Sequence, residues 1–138
     1  MHIAHLKLIN FKNYAKADLD LSVKINCFTG LNGAGKTNIL DALHYLSFTK
    51  SNFNHSDTLH IKKEENFFVV EGKYSENGNT EQIICSFEKS KGKTIKRNGK
   101  KYQRYSEHIG RIPLVIISPD DSRLITGSGE ERIKFIDS

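Results

Sequence analysis

The run GLNGAGKTN at residues 30–38 satisfies G-x-x-x-x-G-K-[ST], with Gly30, Gly35, Lys36 and Thr37 at the fixed positions. A glycine-rich turn reaches positive φ without strain and lets successive backbone N–H groups approach an anion, because no Cβ holds the ligand away. The apolar residues Ile25, Cys27 and Phe28 precede the turn as a short strand. Ile39, Leu40, Ala42, Leu43 and Leu46 follow it at helical spacing. The first N–H groups of that helix and the positive end of its dipole point into the same concavity. The residues Gly30, Asn32, Gly33, Ala34, Gly35, Lys36, Thr37 and Asn38 therefore form a candidate cradle for a nucleoside triphosphate. Lys36 would reach the outer phosphates, and the Thr37 hydroxyl would ligate Mg²⁺, which takes hard oxygen ligands. A strand, a phosphate loop and a helix in this order predict an α/β fold of the phosphate-loop NTPase type.

Along the rest of the chain, the alternation at His2–Ile9 predicts a strand, Leu19–Val23 another, and Asn26–Thr29 the strand feeding the loop. The helix is predicted over Lys36–Phe48, and the polar stretch 49–62 reads as a loop with at most one short turn. Period-two patterns then predict strands at Phe67–Tyr74, Gln82–Glu88, Lys93–Arg97 and Lys101–Arg104. The pairs Asn77-Gly78, Lys91-Gly92 and Asn98-Gly99 separate them, which is the grammar of an antiparallel meander at about 67–104 beside the phosphate-loop helix. The run PLVIISPDD at 113–121 reads as an apolar strand stopped by Pro119, with helical segments from Asp120 to Ile136. Asp120 and Asp121 suit a helix cap and its first turn better than a magnesium-holding carboxylate, because Ser118 and Pro119 separate them from the strand. The last helical pattern has no stop signal before Ser138, so the whole of 1–138 reads as the N-terminal part of a longer protein.

The 138 residues are 37% hydrophobic and 27% charged, which suits one globular domain. No apolar run is long enough to span a bilayer and no leader pattern opens the chain, so a cytoplasmic location is expected. Cys27 and Cys85 read as free thiols, and the six histidines show no metal-binding spacing. The net charge of +5 is unevenly placed. Residues 89–104 hold eight Lys or Arg and no acid, leaving 13 basic against 16 acidic residues elsewhere. Lys93, Lys96, Arg97, Lys100, Lys101 and Arg104 are thus candidate contacts to a nucleic-acid backbone. The alternative for the same hairpin is an edge kept soluble by lysines.

Four ordered segments carry a resemblance to a family: LINFKNY at 8–14, GLNGAGKTNILDALHYLS at 30–47, RNG at 97–99 and VIISPDDSRLITGSGEERIKFID at 115–137. Together they resemble the N-terminal part of the RecF family, bacterial DNA-repair ATPases related to the heads of structural-maintenance-of-chromosomes (SMC) proteins. The resemblance implies the N-terminal lobe of an ABC-type ATPase head that binds ATP and magnesium. It also implies nucleotide-dependent homodimerisation, weak DNA-dependent ATPase activity, preference for junctions of single- and double-stranded DNA, and action with RecR and RecO to load RecA at gaps in replication, recombination and the SOS response. By the same resemblance Lys12 and Asn13 would lie near the nucleotide, and Ser118 would stand where SMC-type heads carry a residue sensing magnesium and the γ-phosphate. The signature motif and the hydrolytic carboxylate would lie beyond residue 138, so no catalytic residue is assigned within the chain. Lys12 replaces the family's usual arginine and Ile133 one of a pair of arginines. The nearest alternative is a head of the RecN or SMC-like type. A transporter ATPase subunit or a small-molecule kinase fits less well, since neither accounts for the basic hairpin.

Overall fold

The structure, a computed structural model, describes residues 1–54 and 56–117. Ser118, Asp120, Asp121 and the helical segments expected after them lie outside the described residues.

Six strands form one antiparallel sheet: β1 (His2–Phe11), β2 (Tyr14–Asp20), β3 (Phe67–Glu76), β4 (Asn79–Glu88), β5 (Gly92–Arg97) and β6 (Lys100–Lys101), in the order β2-β1-β3-β4-β5-β6. The helix α1 (Lys36–Phe48) packs on one face. The predicted meander is β3 to β6, and the predicted helix is α1 residue for residue. Asn77-Gly78 and Asn98-Gly99 join their strands with positive φ at both positions, at +51° and +81° and at +47° and +80°, the two-residue geometry that matches strand twist. A 3-10 turn, Asp57–His60, occurs in the segment read as a loop.

Period-two patterning sends one side chain in two toward α1. Leu8, Val70, Cys85 and Ile95 stand in register across β1, β3, β4 and β5, and all are fully buried. Ile39, Ala42, Tyr45 and Leu46 of α1 close over this row. Each large side chain so buried contributes about 1.5–3 kcal/mol. Phe11, Tyr45 and Phe68 meet edge to face with centroids 5.3 to 6.3 Å apart, fixing the N-terminal half of the sheet against the helix. Gly72 allows the close approach: a Cβ there would stand 2.7 Å from Leu46 Cδ1. Burial pushes the Cys85 thiol up to about 12, which leaves it an apolar packing residue.

Four expectations are corrected. The second strand runs from Tyr14 to Asp20 and starts earlier than Leu19. Lys12 and Asn13 make a tight turn without a glycine, with Lys12 at φ +53°, so β2 returns at once along β1. Asn26–Thr29 and 113–117 are not strands: Ile25, Val115 and Ile117 are 84%, 87% and 83% exposed. An apolar run becomes a strand only with a neighbour to take its backbone hydrogen bonds, and none of the described strands pairs with either run. Finally, β6 has two residues in place of the four expected.

Candidate nucleotide site and basic hairpin

Gly30, Gly33 and Gly35 take φ of +146°, +80° and +106°, so the loop before α1 curls through conformations that side chains resist. Asn32, Gly33, Gly35, Lys36, Thr37 and Asn38 line an open concavity of about 240 Å³ at the helix N-terminus. The Lys36 ammonium curls over the loop and donates to the carbonyls of Gly30 at 2.7 Å and Leu31 at 2.8 Å. Thr37 is exposed beside it, one residue into the helix. The first turn of α1 contains no acid and Gly35 contributes no side-chain cap. The concavity thus carries an ammonium, a hydroxyl and helix-end N–H groups, a donor set that fits phosphate and leaves one hydroxyl for a hard cation.

The turn between β1 and β2 braces this loop from the side. Asn13 Nδ2 donates to the Ala34 carbonyl at 3.1 Å, and Asn13 Oδ1 accepts from Asn38 Nδ2 at 2.8 Å. One side chain therefore ties the loop to the first turn of the helix. Gly35 lies directly under it, where an added Cβ would come within 2.6 Å of Asn13 and 2.9 Å of Tyr14.

Lys12, the neighbouring turn residue, points elsewhere. Its Nζ is 2.6 Å from Asp41 Oδ2 and lies over the rings of Phe11 and Phe53 at 5.8 and 5.6 Å. Asp41 is fully buried. It also accepts the Ser51 hydroxyl at 2.7 and 2.9 Å and the Asn52 N–H at 2.8 Å. Sequence reasoning did not single out Asp41 or Ser51. The available signal was an acid inside the apolar run ILDALHYL, which has to be paired if it is buried.

The basic hairpin divides into two sets. Lys93 turns to the helix side, 2.9 Å from Asp57 and 5.2 Å from the Tyr45 ring centroid, and donates to the Thr49 carbonyl at 2.6 Å. Arg97 pairs with Glu81 through both its Nε and, at 3.1 Å, its Nη2, which raises its pKa above its ordinary value. Lys96, Lys100, Lys101 and Arg104 are exposed and make no ion pair among the described residues. Lys96 and Lys101 stand directly opposite each other across β5 and β6, an arrangement that like charges oppose.

Residues 5–134 match the family model described as an AAA domain. The chain belongs to that family. Over its whole length it is 51% identical to the DNA replication and repair protein RecF of Flavobacterium johnsoniae and covers 38% of that protein. It is 46% identical to RecF of Bacteroides thetaiotaomicron, with 99% of the chain and 37% of the relative aligned. The chain thus spans under two fifths of the length of these curated relatives, and the resemblance read from its motifs is to the right family of proteins. Among solved structures it is similar to the recombination mediator protein RecF–ATP of the RecFOR pathway, with a TM-score of 0.85 and 30% identity over 99% of this chain and 38% of that one. It also superposes on a structure from work on ATP-driven dimerization and DNA-stimulated activation of SMC ATPases. There the TM-score is 0.81 at 21% identity, covering 99% of this chain and 98% of the other, a likeness of fold. Among the described residues no helix is long and apolar enough to cross a membrane.

Proposed function

We propose that the chain carries the ATP-binding cradle of a RecF-type DNA-repair ATPase and part of its DNA-binding surface. The observation that carries the reading is the loop at Gly30–Thr37, whose three positive-φ glycines and overlying Lys36 leave an opening lined by donors. Magnesium, held by the Thr37 hydroxyl, would neutralise phosphate charge when bound. The loop N–H groups and Lys36 hold and orient the phosphates, and Asn13 keeps the loop in shape. Ser118 is proposed as a further magnesium-side residue on resemblance alone.

The RecF–ATP relative supports the choice of nucleotide. The mutually repelling, exposed Lys96 and Lys101, with Lys100 and Arg104, support contact with a polyanion, since a phosphate backbone would relieve that repulsion. Lys93 and Arg97 serve this surface by holding the hairpin in place through Asp57 and Glu81. By the same reading the intact protein acts in the cytoplasm, dimerises with ATP, prefers junctions of single- and double-stranded DNA, and works with RecR and RecO to load RecA.

Calorimetric titration of the intact protein with MgATP tests the cradle. Lys36→Ala or Thr37→Ala should each weaken binding by roughly tenfold to more than a hundredfold, since a charge-assisted contact is worth about 1.5–3 kcal/mol. The circular dichroism of both variants should be that of the parent. An unchanged dissociation constant for folded Lys36→Ala would refute the assignment.

A further inference from the structure

We infer that Lys12 and Asp41 are positioning residues for the phosphate loop, acting through Asn13. The inference rests on the cradle proposed above. Lys12 and Asn13 are the two residues of one tight turn, so fixing the first limits where the second can lie. Lys12 is held on three sides: Asp41 Oδ2 at 2.6 Å, and the Phe11 and Phe53 rings. Asp41 cannot yield easily, because it is fully buried and its remaining acceptor capacity is taken by Ser51 and the Asn52 N–H. A buried carboxylate without its cation is strongly disfavoured, so the ammonium stays with it. The backbone of the turn is anchored as well, with the Lys12 N–H donating to the His60 carbonyl at 2.7 Å.

What this anchoring delivers is the placement of Asn13. Its two hydrogen bonds span Ala34 in the loop and Asn38 in the helix, and Gly35 is pressed beneath it. The chain of contacts runs from Asp41, a turn into α1, through Lys12 and Asn13 to the loop just before α1. The helix thus braces its own phosphate-binding entrance by way of the β1–β2 turn. The segment 50–54 joins the same brace, because Ser51 Oγ accepts the N–H groups of Phe53 and Asn54 while donating to Asp41.

The test uses the intact protein with Lys12→Met, with Lys12→Arg, and with the double variant Lys12→Met, Asp41→Asn, which leaves no unpaired buried charge if the single variant fails to fold. The first readout needs no nucleotide. In the double variant the Ala34 and Asn38 amides, bonded to Leu31 and Gly35 carbonyls, should exchange with solvent about tenfold faster, while core amides of β3 and β4 keep their protection. The second is affinity for MgATP, which should fall about tenfold in Lys12→Met, recover in Lys12→Arg, and fall no further when Lys12→Met is added to Asn13→Ala. Unchanged loop exchange overturns the inference whatever the nucleotide does. Losses from Lys12→Met and Asn13→Ala that simply add would overturn it too, because Lys12 would then act independently of Asn13. If loop exchange rises as expected while Lys36→Ala leaves MgATP affinity unchanged, the brace stands and the nucleotide reading fails.

Discussion

His60 is buried to 1% exposure, ringed by Phe11, Tyr45 and Phe68, with one ring nitrogen 3.0 Å from the Asn54 carbonyl. Burial is the main cause that holds its pKa below the ordinary 6.5; the Asn54 hydrogen bond opposes the shift and Lys12 adds to it. The folded state therefore binds fewer protons here than the unfolded chain, so stability rises with pH across the interval from the lowered value up to 6.5. Acidification below 6.5 charges the unfolded imidazole first and removes that stability, until the folded-state value is passed. Urea unfolding at about pH 7.5 and about pH 5.5 should show the parent losing stability on acidification, with a smaller loss in His60→Gln. Asp18 and Glu88, whose carboxyls are lowered by hydrogen bonds from His5 and from Ser90 and Lys91, act in a more acidic range and do not confuse the comparison. A pH slope identical in the two proteins would show that His60 is not the group responsible.

Among the elements, α1 and β3 meet where Gly72 leaves room for Leu46. Gly72→Ala should destabilise by about 1–3 kcal/mol through overpacking, Leu46→Ala by about 2–5 kcal/mol through the cavity it leaves, and the two together by less than the sum, because the added methyl takes up space that the leucine vacates. Denaturant midpoints of the single and double variants measure this. The helix, the asparagine-glycine turns and the meander were legible in the sequence because each is set by local chemistry: helical spacing, positive-φ turn residues and period-two burial. The glycines, Lys36 and Thr37 were legible for the same reason, as a contiguous motif. The strand expected at Asn26–Thr29 was misread because the apolar run fixes only a preference, and pairing depends on a neighbour from elsewhere. The early start of β2 was missed because Lys12-Asn13 turns without glycine, with Lys12 in the left-handed region. The Lys12–Asp41 pair joins residues far apart in the chain, so no local pattern announces it.

At the scale of the whole molecule, charge placement decides what the sheet can bind. Half of the eight basic residues in 89–104 are tied to neighbours: Lys89 to the Glu65 carbonyl, Lys91 to Glu88, Lys93 to Asp57 and Arg97 to Glu81. The other four, Lys96, Lys100, Lys101 and Arg104, are exposed, the first three on the edge pair β5–β6. Phosphate contacts release counterions whatever the base sequence, at about 0.9 units of log affinity against log salt for each phosphate neutralised. Replacing these four with alanine should therefore make the slope shallower by up to about 3.6 units, equally for unrelated DNA sequences of one shape. Lys93→Ala should act mainly on stability, since its ammonium is satisfied inside the fold. The direct test of an ATP-responsive DNA-binding head is the salt dependence of DNA affinity for the intact protein, with and without MgATP, in the parent, the four-alanine variant and Lys36→Ala. The account predicts a steep slope and ATP-enhanced binding in the parent, a shallow slope in the four-alanine variant, and no ATP response in Lys36→Ala. A four-alanine variant with the parent's slope, together with a parent whose DNA affinity ignores ATP, would contradict it.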